Sequence, residues 1–84
     1  MQRTVEEKLK YNKSRKDDFG DGYCIGVNLY QGYVKRDTNG RQKTHEIVDR
    51  FMQLAKDGDK LSKGIIAGYR DAANERKARK NTLS

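Results

Sequence analysis

Apolar positions recur at helical spacing along most of this chain, separated by short polar breaks. Thr4-Val5-Glu6-Glu7 has the form of a capping box, with Thr4 as N-cap and Glu7 three residues on. A short helix is expected over 5–16. Its apolar stripe is thin, only Val5 and Leu9 with Tyr11 at the margin, so it depends on tertiary contacts.

The segment from Asp17 to Arg36 carries two periodicities. Phe19, Tyr23, Val27, Tyr30 and Val34 step along one helical face, while Tyr23, Ile25, Val27 and Leu29 alternate like a strand. Helix is the preferred reading, because the helical stripe is the longer one. Gly22 and Gly26 are also four apart and are echoed by Gly64 and Gly68, a spacing that lets another helix approach closely. The rival is a two-stranded ribbon in which 33–36 and 41–44 flank an Asn39-Gly40 turn. Either way, Thr38-Asn39-Gly40 reads as a turn, because Asn-Gly tolerates positive φ.

Thr44 is expected to cap a helix from His45 to Lys56, whose stripe is Ile47, Val48, Phe51, Leu54 and Ala55, with Met52 at its edge. Gly58 is the expected residue just past its C-terminus. Asp59 or Ser62 then caps a last helix to about Arg79, with Leu61, Ile65, Tyr69 and Ala72 along one face and Ile66 and Ala73 beside them. No large apolar residue follows Ala73 until Leu83, so fraying is expected over about 76–84. The fold class is therefore all-α, one small bundle of three or four helices over 1–84. The alternative is an α+β fold, with a hairpin at Asn39-Gly40 packed on the C-terminal helices.

Composition narrows the picture. Leu, Ile, Val and Phe total about 18% of the 84 residues, near the level at which charged chains lose a packed core. A thin core makes a homodimer a natural route to further burial. The N-terminus has no apolar signal region and no stretch could span a bilayer, so neither secretion nor a membrane partner is expected. The single cysteine, Cys24, cannot pair within the chain, which fits a reducing cytoplasm.

Charge supplies the functional pointer. Nineteen Lys and Arg against twelve Asp and Glu give a net charge of +7, the balance expected of a partner of nucleic acids. Lys60, Lys63, Arg70, Asn74 and Lys77 recur along one polar stripe of the last helix, and Arg76, Arg79 and Lys80 are expected to thicken it. Such a row of cations matches what a phosphate backbone needs, and Asn74 is a type that reads base edges. The bland reading is a solvated helix end, diluted by Asp71 and Glu75. Arg36, Arg41 and Lys43, with Lys35 beside them, form a second basic cluster around Asn39-Gly40. The last two helices and the Asp57-Gly58-Asp59 turn have helix-turn-helix proportions, though an ordinary helical hairpin has the same parts. Tyr23 and Tyr30 read as core, and Tyr33 as the tyrosine free to stack on a base.

Catalytic chemistry finds no foothold. His45 and Cys24 are single, so no zinc site is expected. Asp17, Asp18 and Asp21 suit a helix N-terminus better than Mg²⁺. Gly20-x-Gly22 lacks the preceding strand of a dinucleotide site. The expectation is a non-enzymatic, cofactor-free accessory protein that binds DNA or RNA. The second class is an inhibitor or adaptor that binds a host protein or nucleoprotein complex, as anti-CRISPR proteins do, since compact basic chains of this size are frequent among phage and mobile-element products.

Overall fold

The computed structural model describes residues 4–83, with side chains described through Arg79. Four helices follow one another: α1 (Val5–Arg15), α2 (Asp18–Val34), α3 (Thr38–Lys56) and α4 (Lys60–Leu83). The described residues contain no strand, so the all-α reading holds and the hairpin alternative falls away.

Each helix begins at a side-chain cap. Thr4 Oγ1 accepts from the Glu7 N–H (3.2 Å), Asp17 Oδ1 from Gly20 N–H (2.8 Å) and Asp37 Oδ1 from Gly40 N–H (2.9 Å). Asp59 Oδ2 accepts from Ser62 N–H (3.0 Å). These bonds satisfy amide donors that the first helical turn leaves without carbonyl partners. Asp17 and Asp59 are held below the usual carboxylate range, Asp17 chiefly by the Gly20 N–H and Asp59 by the Ser62 hydroxyl and N–H.

The third cap corrects the sequence reading. Thr44 does not start α3; Asp37 does, seven residues earlier, and Asn39-Gly40 lies in the first turn of the helix. Thr44 is fully buried mid-helix, its hydroxyl donating to the Gly40 carbonyl (3.0 Å). His45 is accordingly in the body of α3. At the other end, Gly58 takes φ 103° and its N–H donates to Ala55 O, while Asp59 N–H reaches Leu54 O. That is the Schellman pattern, in which a left-handed glycine closes the helix. α1 ends instead on Lys16 at φ 54°, a left-handed position occupied by a side chain that gains nothing from it.

α2 and α4 run parallel and touch backbone to backbone. A Cβ on Gly22 or Gly26 would overlap the Leu61 or Ile65 carbonyl, and one on Gly64 or Gly68 would overlap the Phe19 or Tyr23 carbonyl. The two glycine pairs are thus complementary halves of one interface, each opposite the other helix's carbonyls. α1 packs antiparallel on one side of this pair and α3 on the other, and the two do not meet. The result is flattened, 38 × 35 × 18 Å. Val5, Tyr23, Val27, Val48, Ile65 and Ile66 form the buried apolar set.

The stripe of α3 is less buried than its periodicity implies. Val48 is covered, Phe51 and Ala55 are half-buried, and Ile47 and Leu54 stand exposed. α4 extends beyond the expected Arg79, its backbone helical to Leu83.

Candidate nucleic-acid interface

α4 presents two chemically different faces. Gly64, Gly68, Asp71 and Glu75 follow one another at spacings of four, three and four, so the two carboxylates continue the glycine stripe. Both turn toward α1 and α2. Asp71 Oδ2 accepts the Tyr23 hydroxyl (2.7 Å) and lies 3.4 Å from Lys8 Nζ. Glu75 Oε2 accepts the Val5 N–H at the start of α1 (2.7 Å), and its other oxygen pairs with Arg79 (3.0 Å). Burial, reinforced by the Asp71 charge, pushes the Tyr23 phenol well up, which keeps it a proton donor to that carboxylate. The acids expected to dilute the cationic stripe are therefore occupied in docking α1.

A second face of α4, turned to solvent, carries Lys63, Arg70, Asn74 and Lys77, all exposed. Lys60 is exposed too but does not join them: it lies one turn before Gly64 and borders a cleft with Arg15, Asp17, Asp18 and Phe19. At 1.5 Å per residue the row from Lys63 to Lys77 is about 21 Å long. Asp71 and Glu75 turn toward α1 and α2 and meet this row only at Asn74, which borders the α1 cleft beside them.

Beside this row, α3 and α4 enclose an open groove of about 330 Å³. Met52, Ala55, Ile66 and Ala67 make it apolar, and Lys56, Lys63 and Arg70 supply charge. Lys56 joins the stripe from α3. Sequence spacing along α4 could not reveal it, although its place in the last turn of an antiparallel neighbour was a usable signal.

The other basic residues lie elsewhere. Arg76 and Arg79 border a cleft with Val5, Tyr30, Gln31 and Val34, away from the outward row, so they do not thicken it. A turn of 100° per residue separates them from Arg70 and Lys77. The Lys80 side chain is outside the described residues. At the α2–α3 junction, Arg41 donates to the Tyr33 and Val34 carbonyls (3.3 and 3.2 Å) and lies over the Tyr33 ring. Arg36 reaches Thr44 Oγ1 (3.5 Å), while Lys35 and Lys43 are exposed. These guanidinium groups tie α2 to α3 as well as adding charge.

Tyr33 is not free. It stacks on Tyr30 at 5.8 Å and meets His45 and Tyr69 edge-on at 5.2 and 6.4 Å. Tyr30 in turn meets Tyr69 at 5.3 Å. Burial, then the neighbouring Tyr33 and Tyr30, raises the pKa of the Tyr69 hydroxyl. The cluster fastens the end of α2 to α3 and α4.

Among the described residues no group of His, Cys, Asp or Glu could hold a metal ion, and no helix is long and apolar enough to cross a membrane. Asp17, the first of the aspartates weighed for Mg²⁺, is the α2 cap. No family model, curated protein or solved structure matches this chain.

Proposed function

We propose that this chain is a non-enzymatic accessory protein that binds nucleic acid through the outward face of α4. The observation that carries the reading is the separation of charge on that helix. Asp71 and Glu75 are bound to Tyr23, Lys8 and the α1 N-terminus, leaving Lys63, Arg70 and Lys77 exposed in a row that neither carboxylate pairs with. A phosphate backbone recruits such a row by releasing condensed counterions, with no need for a concave site. Lys56 widens the row from α3, and Asn74 supplies a side chain able to contact a base edge.

Anisotropy of labelled duplex and single-stranded oligonucleotides, titrated across salt, tests the reading. Four phosphate contacts, from Lys56, Lys63, Arg70 and Lys77, would give log K falling against log salt with a slope of about 3.6 on duplex and about 2.8 on single strands. Absence of binding at low salt would refute it.

The apolar floor of the α3–α4 groove favours one second reading, an inhibitor or adaptor seated on a host protein, because phosphates gain nothing from apolar surface. Co-purification of a protein in place of nucleic acid from the native host would support that alternative.

A further inference from the structure

The exposed edge of α3 is self-complementary. Ile47, Phe51 and Leu54 fall at spacings of four and three and so share one stripe, with Ile47 41% and Leu54 42% exposed and Phe51 half-buried. No element of the described chain covers it. Lys43 lies four residues before the stripe and Asp57 three residues after it, both exposed. Among the described residues neither side chain has an ionic partner, and Asp57 closes the helix through its backbone N–H.

This order of residues reads the same chemically from either end once charge is inverted. Place two copies of α3 antiparallel about a two-fold axis near Arg50 and Phe51. Ile47 then faces Leu54 of the second copy, and Lys43 faces Asp57 of the second copy. Symmetry makes each contact twice, as an isologous interface requires. Arg50 comes beside the axis against Phe51 of the second copy, an arrangement in which a guanidinium covers an aromatic face. A parallel pairing would instead set Lys43 against Lys43 and Asp57 against Asp57, so the charges select one orientation.

We infer that the Ile47–Phe51–Leu54 edge of α3 is a homodimer interface, closed by antiparallel pairing of two α3 helices with reciprocal Lys43–Asp57 ion pairs. The cationic row of α4 takes no part in it, so the inference stands apart from the nucleic-acid reading. A thin core fits this arrangement, because the dimer covers apolar surface that one copy leaves in water.

Sedimentation of the nuclease-treated full chain over a range of concentrations is the test. The wild type should approach twice the monomer mass. Lys43→Glu and Asp57→Lys should each raise the dimer dissociation constant by roughly tenfold or more, since two attractive pairs become repulsive. The double variant Lys43→Glu/Asp57→Lys should restore dimerisation, because the pair is rebuilt with its signs exchanged. Recovery in the double variant also answers any doubt that a single variant merely misfolds. A monomeric wild type at all concentrations would overturn the inference and leave the edge to a different protein. A dimer indifferent to both single variants, or one not restored in the double, would overturn it as well.

Discussion

Gly26 of α2 sits directly against the Ile65 carbonyl of α4, so closely that a single methyl group on Gly26 would occupy the same space as the backbone. Gly22, Gly64 and Gly68 repeat the relationship along the pair. This contact fixes the rotation of α4 about its axis. Turning Gly64 and Gly68 inward also turns Asp71 and Glu75 inward and leaves Lys63, Arg70 and Lys77 facing out.

Gly26→Ala should therefore destabilise the protein although alanine is the better helix former. The intrinsic gain of about 1 kcal/mol is outweighed by an overlap with backbone that only separation of α2 and α4 can relieve, an overpacking cost of about 1–3 kcal/mol or more. Gly32 lies in the same helix and has nothing within 4 Å of its would-be Cβ. Gly32→Ala should stabilise by roughly 0.5–1 kcal/mol. Thermal unfolding of the two variants checks the contrast, and equal effects would contradict the close approach.

Burial ranks the core side chains differently from helical periodicity. Ile65 is 1% exposed between α2 and α4, so Ile65→Ala should cost about 2–5 kcal/mol. Phe51 is larger but only half-buried at the α3 edge. Phe51→Ala should fall below the roughly 3–5 kcal/mol of a buried phenylalanine and below the cost of Ile65→Ala. Denaturant unfolding of the two variants gives the order directly.

The N-cap aspartates predict a pH dependence. Asp17 and Asp59 have folded-state pKa values below the ordinary aspartate value of 3.8, so the folded state binds fewer protons than the unfolded chain as pH falls toward and through that value. The stability they contribute is fully present above about pH 4 and is lost as pH drops through the folded pKa. Asn caps a helix about as well as Asp but does not titrate. In Asp17→Asn/Asp59→Asn, Tm measured from pH 6 downward should fall less steeply near pH 3–4 than in the wild type. Parallel curves would contradict the role given to the two carboxylates.

Much of this architecture is legible in the sequence, and the misreadings have specific causes. The stripes of α2 and α4 and the matched glycine pairs announce two helices in close contact. The start of α3 was obscured because Asn39-Gly40 suits a turn and Thr44 suits a cap. Asp37 outcompetes both, accepting the Gly40 N–H three residues on, and a first helical turn tolerates residues that would weaken the middle. Amphipathic spacing marked Ile47 and Leu54 as apolar-face residues but could not say that α4 covers only the Val48 side of α3. The inward turn of Asp71 and Glu75 was readable, since they extend the Gly64–Gly68 stripe. Charge alone points the other way, because carboxylates on a basic helix ordinarily face water.

The cationic row of α4 is the centre of the functional account, and its salt dependence tests that account most directly. Arg70→Gln/Lys77→Gln removes two charges from the row. Lys10→Gln/Lys13→Gln removes two exposed charges from α1 and lowers the net charge equally. Surface changes of this kind usually stay within about 0.5 kcal/mol each, so both variants should melt close to the wild type. For duplex DNA, the plot of log K against log salt should flatten by about 1.8 in the α4 variant and change little in the α1 variant. Equal changes in the two variants, or an unchanged slope after the α4 substitutions, would contradict a defined binding face on α4.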